Sequence, residues 1–246
     1  MRLEDIGLLA VDSSRTRAYL WALGEAGLPP SRAVLIQGGP GADQRHFPAT
    51  PLFDNRTPAR ERCATLGIPL VEAGAADPND PEVARTVAEA SQSVWIYAGP
   101  GGIRVGSGLL GLGREFLHVH PGRLPAFRGS TTLYYSLLAE GRCEATALFL
   151  RPGLDEGPVL AHREFPPPAD LRTLDYEYDP YIRSRLLVET LERYRREGDF
   201  RPRPQAAVGG RTYYIMHPVL RHAAILGGRL PEDVAQVLQD QGRHLP

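Results

Sequence analysis

Only two cysteines, Cys63 and Cys143, occur in 246 residues, and they stand far apart. No Cys-x-x-Cys pair and no cysteine–histidine run with zinc spacing exists. Each cysteine reads as a small buried apolar side chain rather than half of a disulfide. A surplus of one charge is also missing. Twenty-eight Lys and Arg against 29 Asp and Glu leave a formal charge of −1. Nothing in that balance draws nucleic acid or anionic lipid to the chain as a whole. The local cluster Arg193, Arg195 and Arg196 reads as a solvated helix end. No apolar run approaches the roughly 20 residues that span a bilayer. The opening MRLEDIGLLAVDSS begins acidic, and its apolar stretch is too short for a signal peptide. A membrane partner is therefore not expected, and the cytoplasm is the expected location. Neither an internal repeat nor a Gly-rich phosphate loop is visible.

What is present is alternation. Hydrophobic residues make up 42% and charged residues 23%, as in an ordinary globular protein. The length allows one large domain, or one domain with an appendage. Strand-like runs at Ile6–Val11, Ala33–Ile36, Ile68–Val71 and Val94–Ala98 alternate with helix-like segments. Ser13 and its neighbours cap the helix Arg15–Ala26, which Gly27 ends. Asp80-Pro81-Glu82 starts another. Alternation of this kind predicts an α/β fold: a Rossmann-like, mostly parallel twisted sheet with helices on both faces. Ser130 or Thr131 is placed as the cap of a helix through Glu140. Cys143–Leu150 and Pro158–Phe165 read as strands, and Tyr181–Arg195 as an amphipathic helix. Residues 1–198 are assigned to this domain. Residues 199–246 are assigned to a linker and a small C-terminal appendage holding a strand and two short helices.

The chemistry concentrates in FLHVHPGRLPAFRG, residues 116–129, and in LDEGPVL, which carries Asp155. Strand positions i and i+2 face the same way, so His118 and His120 share a face and Val119 turns to the other. Ligands of parallel α/β sheets collect at the carboxyl ends of the strands. Gly99–Gly102 and His118–Gly122 lie at two such ends. Two imidazoles, a carboxylate and a glycine-rich approach make an acid/base site. His-x-His with a distant Asp is also the outline of a metal triad. No fourth ligand supports that outline, and no metal is expected.

These two segments resemble the folate-dependent formyltransferase family. His120, Pro121, Leu124, Pro125, Arg128 and Gly129 match its Asn-x-His-Pro-Ser-Leu-Leu-Pro-x-x-Arg-Gly motif. Leu154, Asp155, Gly157 and Pro158 match its Leu-Asp-x-Gly-Pro motif. His118 stands where the family has asparagine, and Gly122 where it has serine. The resemblance implies an enzyme: an N-formyltransferase that takes the formyl group of N10-formyltetrahydrofolate to a small amine, with a nucleotide-linked amino sugar as the favoured acceptor. The alternative is an altered relative, either a formyltetrahydrofolate hydrolase or a non-catalytic folate- or nucleotide-binding protein. By this resemblance His120 contacts the formyl oxygen and handles protons, and Asp155 orients it; His118, if neutral with the proper tautomer, adds an N–H to the same oxygen. Gly102, Ile103, Arg104, Leu109, Gly153 and Leu154 are carried over as the folate contacts. Ser13, Arg128 and Tyr134 are assigned to the acceptor, each with a bland counterpart: helix cap, turn pin and core. The apolar run Val219, Leu220, Ala223, Ile225 and Leu226 offers a homodimer surface.

Overall fold

The computed structural model describes residues 3–38, 47–206 and 209–227. Strands β1 (Leu3–Ala10), β2 (Pro30–Ile36), β3 (Leu70–Ala73), β4 (Val94–Ala98) and β5 (Glu115–His120) form the first half of the sheet. Helices α1 (Ser14–Glu25), α2 (Ala59–Thr65), α3 (Pro81–Ala88) and α4 (Ser107–Leu110) connect them. After β6 (Arg128–Gly129) come α5 (Thr132–Glu140), β7 (Cys143–Phe149), β8 (Val159–Phe165), α6 (Asp179–Glu197), β9 (Thr212–Tyr213) and α7 (Pro218–Ile225). The main sheet has seven strands in the order β3-β2-β1-β4-β5-β7-β8. β1 to β5 run parallel, whereas β7 pairs antiparallel with both β5 and β8. The expected α/β architecture is therefore present, with the antiparallel edge confined to the last two strands.

Two-residue periodicity sorts the strand side chains into two layers. On β1, Ile6, Leu8 and Ala10 join the core that holds Tyr19, Leu20 and Leu23 of α1 and Ile182 and Leu186 of α6. Leu9 faces the opposite layer, with Val83 and Val87 of α3 and Leu109 of α4. On β5, Leu117 and Val119 join the first layer and Phe116 the second. Helices thus cover both faces, and the strands are buried on each, as parallel sheets require.

Sequence order reverses direction between β1 and β4, which lie side by side at the centre. This is the topological switch point, where a crevice opens beyond the strand ends. Helix α1 starts there. The Ser13 hydroxyl caps it by accepting from the Thr16 amide at 3.2 Å. Asp80 caps α3 in the same manner.

One local expectation needs correction. Thr131 precedes α5 with φ 53° and makes no side-chain cap. Its hydroxyl instead accepts from the Met216 amide at 2.9 Å, so it ties the appendage down. A 3-10 turn (Leu171–Thr173) and a π-helical turn (Leu174–Tyr178) lead into α6. After α6, Arg203 and Val159 exchange backbone hydrogen bonds at 2.7 and 2.9 Å. Downstream, β9 pairs with β6, and Tyr213 packs against Phe127 and Tyr135. The second short helix expected in the appendage lies outside the described residues.

Gly7 sits opposite Trp95 in the β1–β4 register. A Cβ there would lie 2.7–2.9 Å from three Trp95 ring carbons. Trp95 is fully buried and has nowhere to go. Gly7→Ala is expected to destabilise the fold by about 1–3 kcal/mol through overpacking. Urea unfolding checks this, and an unchanged midpoint would refute the tight Gly7–Trp95 contact.

Candidate active site

The site forms where β5 ends and two turns meet it. His120 is the last residue of β5 and only 2% exposed. Its Nε2–H donates to the Phe127 carbonyl at 2.6 Å, with the Thr132 hydroxyl also in range at 3.3 Å. A carbonyl oxygen can only accept, so this contact places the ring proton on Nε2 and leaves Nδ1 as the reactive nitrogen. His120 Nδ1 lies 3.5 Å from Asp155 Oδ2. The chain from His120 to Asp155 crosses β6, α5 and β7 before returning. Convergence of the two residues is thus a property of the fold.

Several contacts fix Asp155. Its backbone has φ 53°, a left-handed conformation tolerated by Asp in turns. The Gly129 amide donates to Asp155 Oδ2 at 2.8 Å. The Gln205 side-chain amide donates to the Asp155 and Gly157 carbonyls at 2.7 and 2.8 Å. Gly157 packs so closely that a Cβ would fall 1.7 Å from the Phe149 carbonyl oxygen. Gln205 was not foreseen, because nothing in an Arg/Pro-rich stretch distinguishes a turn-holding glutamine from a solvated one.

His118 is partly buried one pleat earlier. Its Nδ1 lies 3.3 Å from the Tyr97 carbonyl, so Nδ1 carries the proton and Nε2 holds a lone pair. This corrects its expected role. With its N–H committed to Tyr97, neutral His118 is an acceptor at its other nitrogen and cannot donate to the formyl oxygen. Burial, reinforced by the Arg183 and Arg15 charges, holds its pKa well below the ordinary imidazole value. His120 is also lowered by burial, although Asp155 pulls it back up.

A cavity of about 400 Å³ opens at the switch point, lined among others by Ser13, Ser14, Arg15, Gly99, Asp179 and Arg183. The sequence contains no lysine, so the fixed side-chain cations here are guanidinium groups. Arg183 is 6% exposed and pairs with Asp179 at 3.2 Å, one turn back on α6. Arg15 donates to the Gly99 carbonyl and has no carboxylate in ion-pair range among the described residues. Burial beside Arg183 pushes the Arg15 guanidinium down to about 10. Arg183 was missed because an arginine on an amphipathic helix normally reads as solvated. Neither histidine nor Asp155 lines this cavity. His120 is covered, and the exposed edge of the cluster belongs to His118 and Asp155, whose side chain is 9% exposed. A second cavity of about 730 Å³, beyond β2 and β3, also lacks all three residues.

The remaining assigned residues separate clearly. Arg104 donates to the Pro152 carbonyl, which brings the Gly102–Ile103–Arg104 loop against the turn holding Gly153 and Leu154. Ile103 is 38% exposed beside that junction. Leu109 is corrected: at 1% exposure it belongs to the core under α3. Ser13 lines the cavity while capping α1. Arg128 pins the turn through Gln205 at 3.0 Å and Glu156 at 3.5 Å. Tyr134 is also corrected: it is 4% exposed, and its hydroxyl is held by Asp175 at 2.8 Å. No helix among the described residues is long and apolar enough to cross a membrane.

No family model matches the chain. It carries the fold of formyltransferases: phosphoribosylglycinamide formyltransferase from Bacillus halodurans superposes with TM-score 0.57 at 24% identity, over 81% of this chain and 97% of that one. HypX from Aquifex aeolicus, solved with tetrahydrofolic acid, gives TM-score 0.54 at 18% identity over 88% of this chain and 30% of that one. In sequence, the methionyl-tRNA formyltransferase of Chloroflexus aggregans is 34% identical over 153 residues, 61% of this chain and 48% of the relative. The chain spans about half the length of the curated relatives it matches. In sequence and in fold alike, the chain is similar to formyltransferases.

The lowered histidine pKa values make stability pH-dependent. An unfolded histidine titrates near ~6.5, and His118 folds with a lower value. The unfolded chain therefore binds more protons below that pH, so stability is complete above it and is lost as pH falls. Each such group contributes a slope of up to about 1.4 kcal/mol per pH unit. His118→Asn is expected to flatten the slope below about pH 6.5, measured by denaturant unfolding at each pH. Equal slopes in wild type and variant would refute the assignment.

Proposed function

We propose that the chain transfers the formyl group of N10-formyltetrahydrofolate to a small amine. The observation that carries this reading is the His120–Asp155 pair, 3.5 Å apart at the carboxyl end of a central strand. The amine nitrogen attacks the formyl carbon and the bond from that carbon to N10 breaks. The proton lost by the amine passes to His120 Nδ1 and then to N10. Asp155 stabilises the imidazolium in between. Once protonated, His120 Nδ1 also donates to the oxyanion of the tetrahedral intermediate, worth roughly 3–4 kcal/mol for one well-placed donor. His118, neutral with a free lone pair, accepts a hydrogen bond from the amine and orients it for attack. Because His120 is covered, the donor and acceptor reach it past His118 and Asp155.

The loop at Gly102–Arg104, joined to the turn at Gly153–Leu154, suits a flat heterocycle. It offers exposed backbone and one exposed apolar side chain, Ile103. For the acceptor, the cavity with Arg15, Arg183 and the start of α1 favours an amine that also carries an anionic group. A nucleotide-linked amino sugar meets that description.

Incubation with N10-formyltetrahydrofolate and candidate amines, following tetrahydrofolate and formate, tests the reading. His120→Ala and Asp155→Asn are each expected to lower turnover about 100- to 10,000-fold. Full turnover by His120→Ala would overturn it. Formate release without any amine would point to the hydrolase alternative. Gln205→Ala should weaken turnover with little loss of fold stability, since it frees the Asp155 turn; an unchanged rate would remove Gln205 from the account.

A further inference from the structure

The strongest concentration of electron-pair donors in the described chain is the histidine–aspartate cluster. One ring nitrogen of each histidine and one carboxylate oxygen of Asp155 all lie within 4.8 Å of one another. Two backbone carbonyls decide which ring nitrogens carry lone pairs. Phe127 holds the Nε2 proton of His120, and Tyr97 holds the Nδ1 proton of His118. His120 Nδ1 therefore directs a lone pair toward Asp155 Oδ2 at 3.5 Å, an oxygen that already accepts from Gly129. Two electron-rich atoms at that distance repel unless a positive charge lies between them. A proton can serve, and so can a metal cation. Histidines that ligate metals characteristically donate their other N–H to a carbonyl or carboxylate, and both histidines do so here.

We propose that His118, His120 and Asp155 bind one divalent transition-metal ion of the zinc class. Two imidazole nitrogens and one carboxylate suit borderline ions such as Zn²⁺, Co²⁺ or Fe²⁺, whereas Mg²⁺ and Ca²⁺ prefer oxygen alone. Two bonds of about 2.1 Å at a tetrahedral angle separate their donor atoms by about 3.4 Å. The His120–Asp155 distance of 3.5 Å already matches. Three protein ligands leave a coordination position open for water or substrate, as in catalytic rather than structural zinc sites. The Arg15 and Arg183 charges act against a bound cation, while Asp155 and Asp179 offset them.

Metal binding by these three residues does not require formyl transfer. A metal and a proton compete for the same lone pair on His120, so metal-loaded protein is expected to lose the proton-transfer route proposed above. Binding is read without any formyl donor, so failure here and failure of that function are separate results.

The full chain, stripped with chelator and dialysed against buffered Zn²⁺ at neutral pH, should retain one equivalent above the level of His118→Asn. The exposed His217 and His222 give a background that this variant leaves unchanged. His118→Asn and Asp155→Asn should each weaken site-specific binding about 100-fold or more, with thermal midpoints in chelator showing that each variant is folded. Co²⁺ added to wild type should shift the ring-proton NMR signals of both His118 and His120, a readout that needs no variant. Wild type without the extra equivalent, variants that bind as wild type does, or unshifted ring signals would each overturn the proposal.

Discussion

The hydrogen bond from the Gly129 amide to Asp155 is the contact on which the site depends. It holds a carboxylate from the β7–β8 turn beside an imidazole at the end of β5. Around it, the Phe127 carbonyl, Gln205 and the close packing of Gly157 remove the freedom of each partner in turn. Acid/base groups act only from held geometry, since a displacement of about 1 Å can cost two orders of magnitude in rate. The contacts here are mostly to backbone. They therefore hold the geometry with atoms that side-chain substitution leaves in place.

The second organising constraint is electrostatic. Two guanidinium groups sit in the crevice where β1 and β4 part, and the histidines lie within their field. Burial and positive charge both disfavour protonation of His118, so the ring stays neutral and presents a lone pair. Arg183 has Asp179 as its counter-charge on the same helix, whereas Arg15 leans on a carbonyl. An arginine seated in this way fits an anion better than a neutral ligand.

How much of this was legible beforehand varies residue by residue. Asp80 before Pro81 declared a helix start because capping is local chemistry, and α3 begins there. Thr131 carried the same local signal and misled. Its hydroxyl is claimed by Met216, which lies far along the chain. The stretch after α6 reads as a linker because its composition is that of one. Arg203 and Gln205 within it bond to Val159 and to the Asp155 turn, partners that no window of sequence contains. Leu109 and Tyr134 looked like cleft residues by position, yet both are packed inside.

By itself, the sequence determined the alternation of strands and helices, the two-face burial of the sheet and the pairing of His118 with His120 on one strand face. Those follow from periodicity and capping, which act over a few residues. Tertiary structure alone decided which nitrogen of each ring bears the proton, that Arg183 is buried, and that His120 is covered. Such properties depend on carbonyls and carboxylates brought in from distant elements, and their placement is known only once the chain has closed around them.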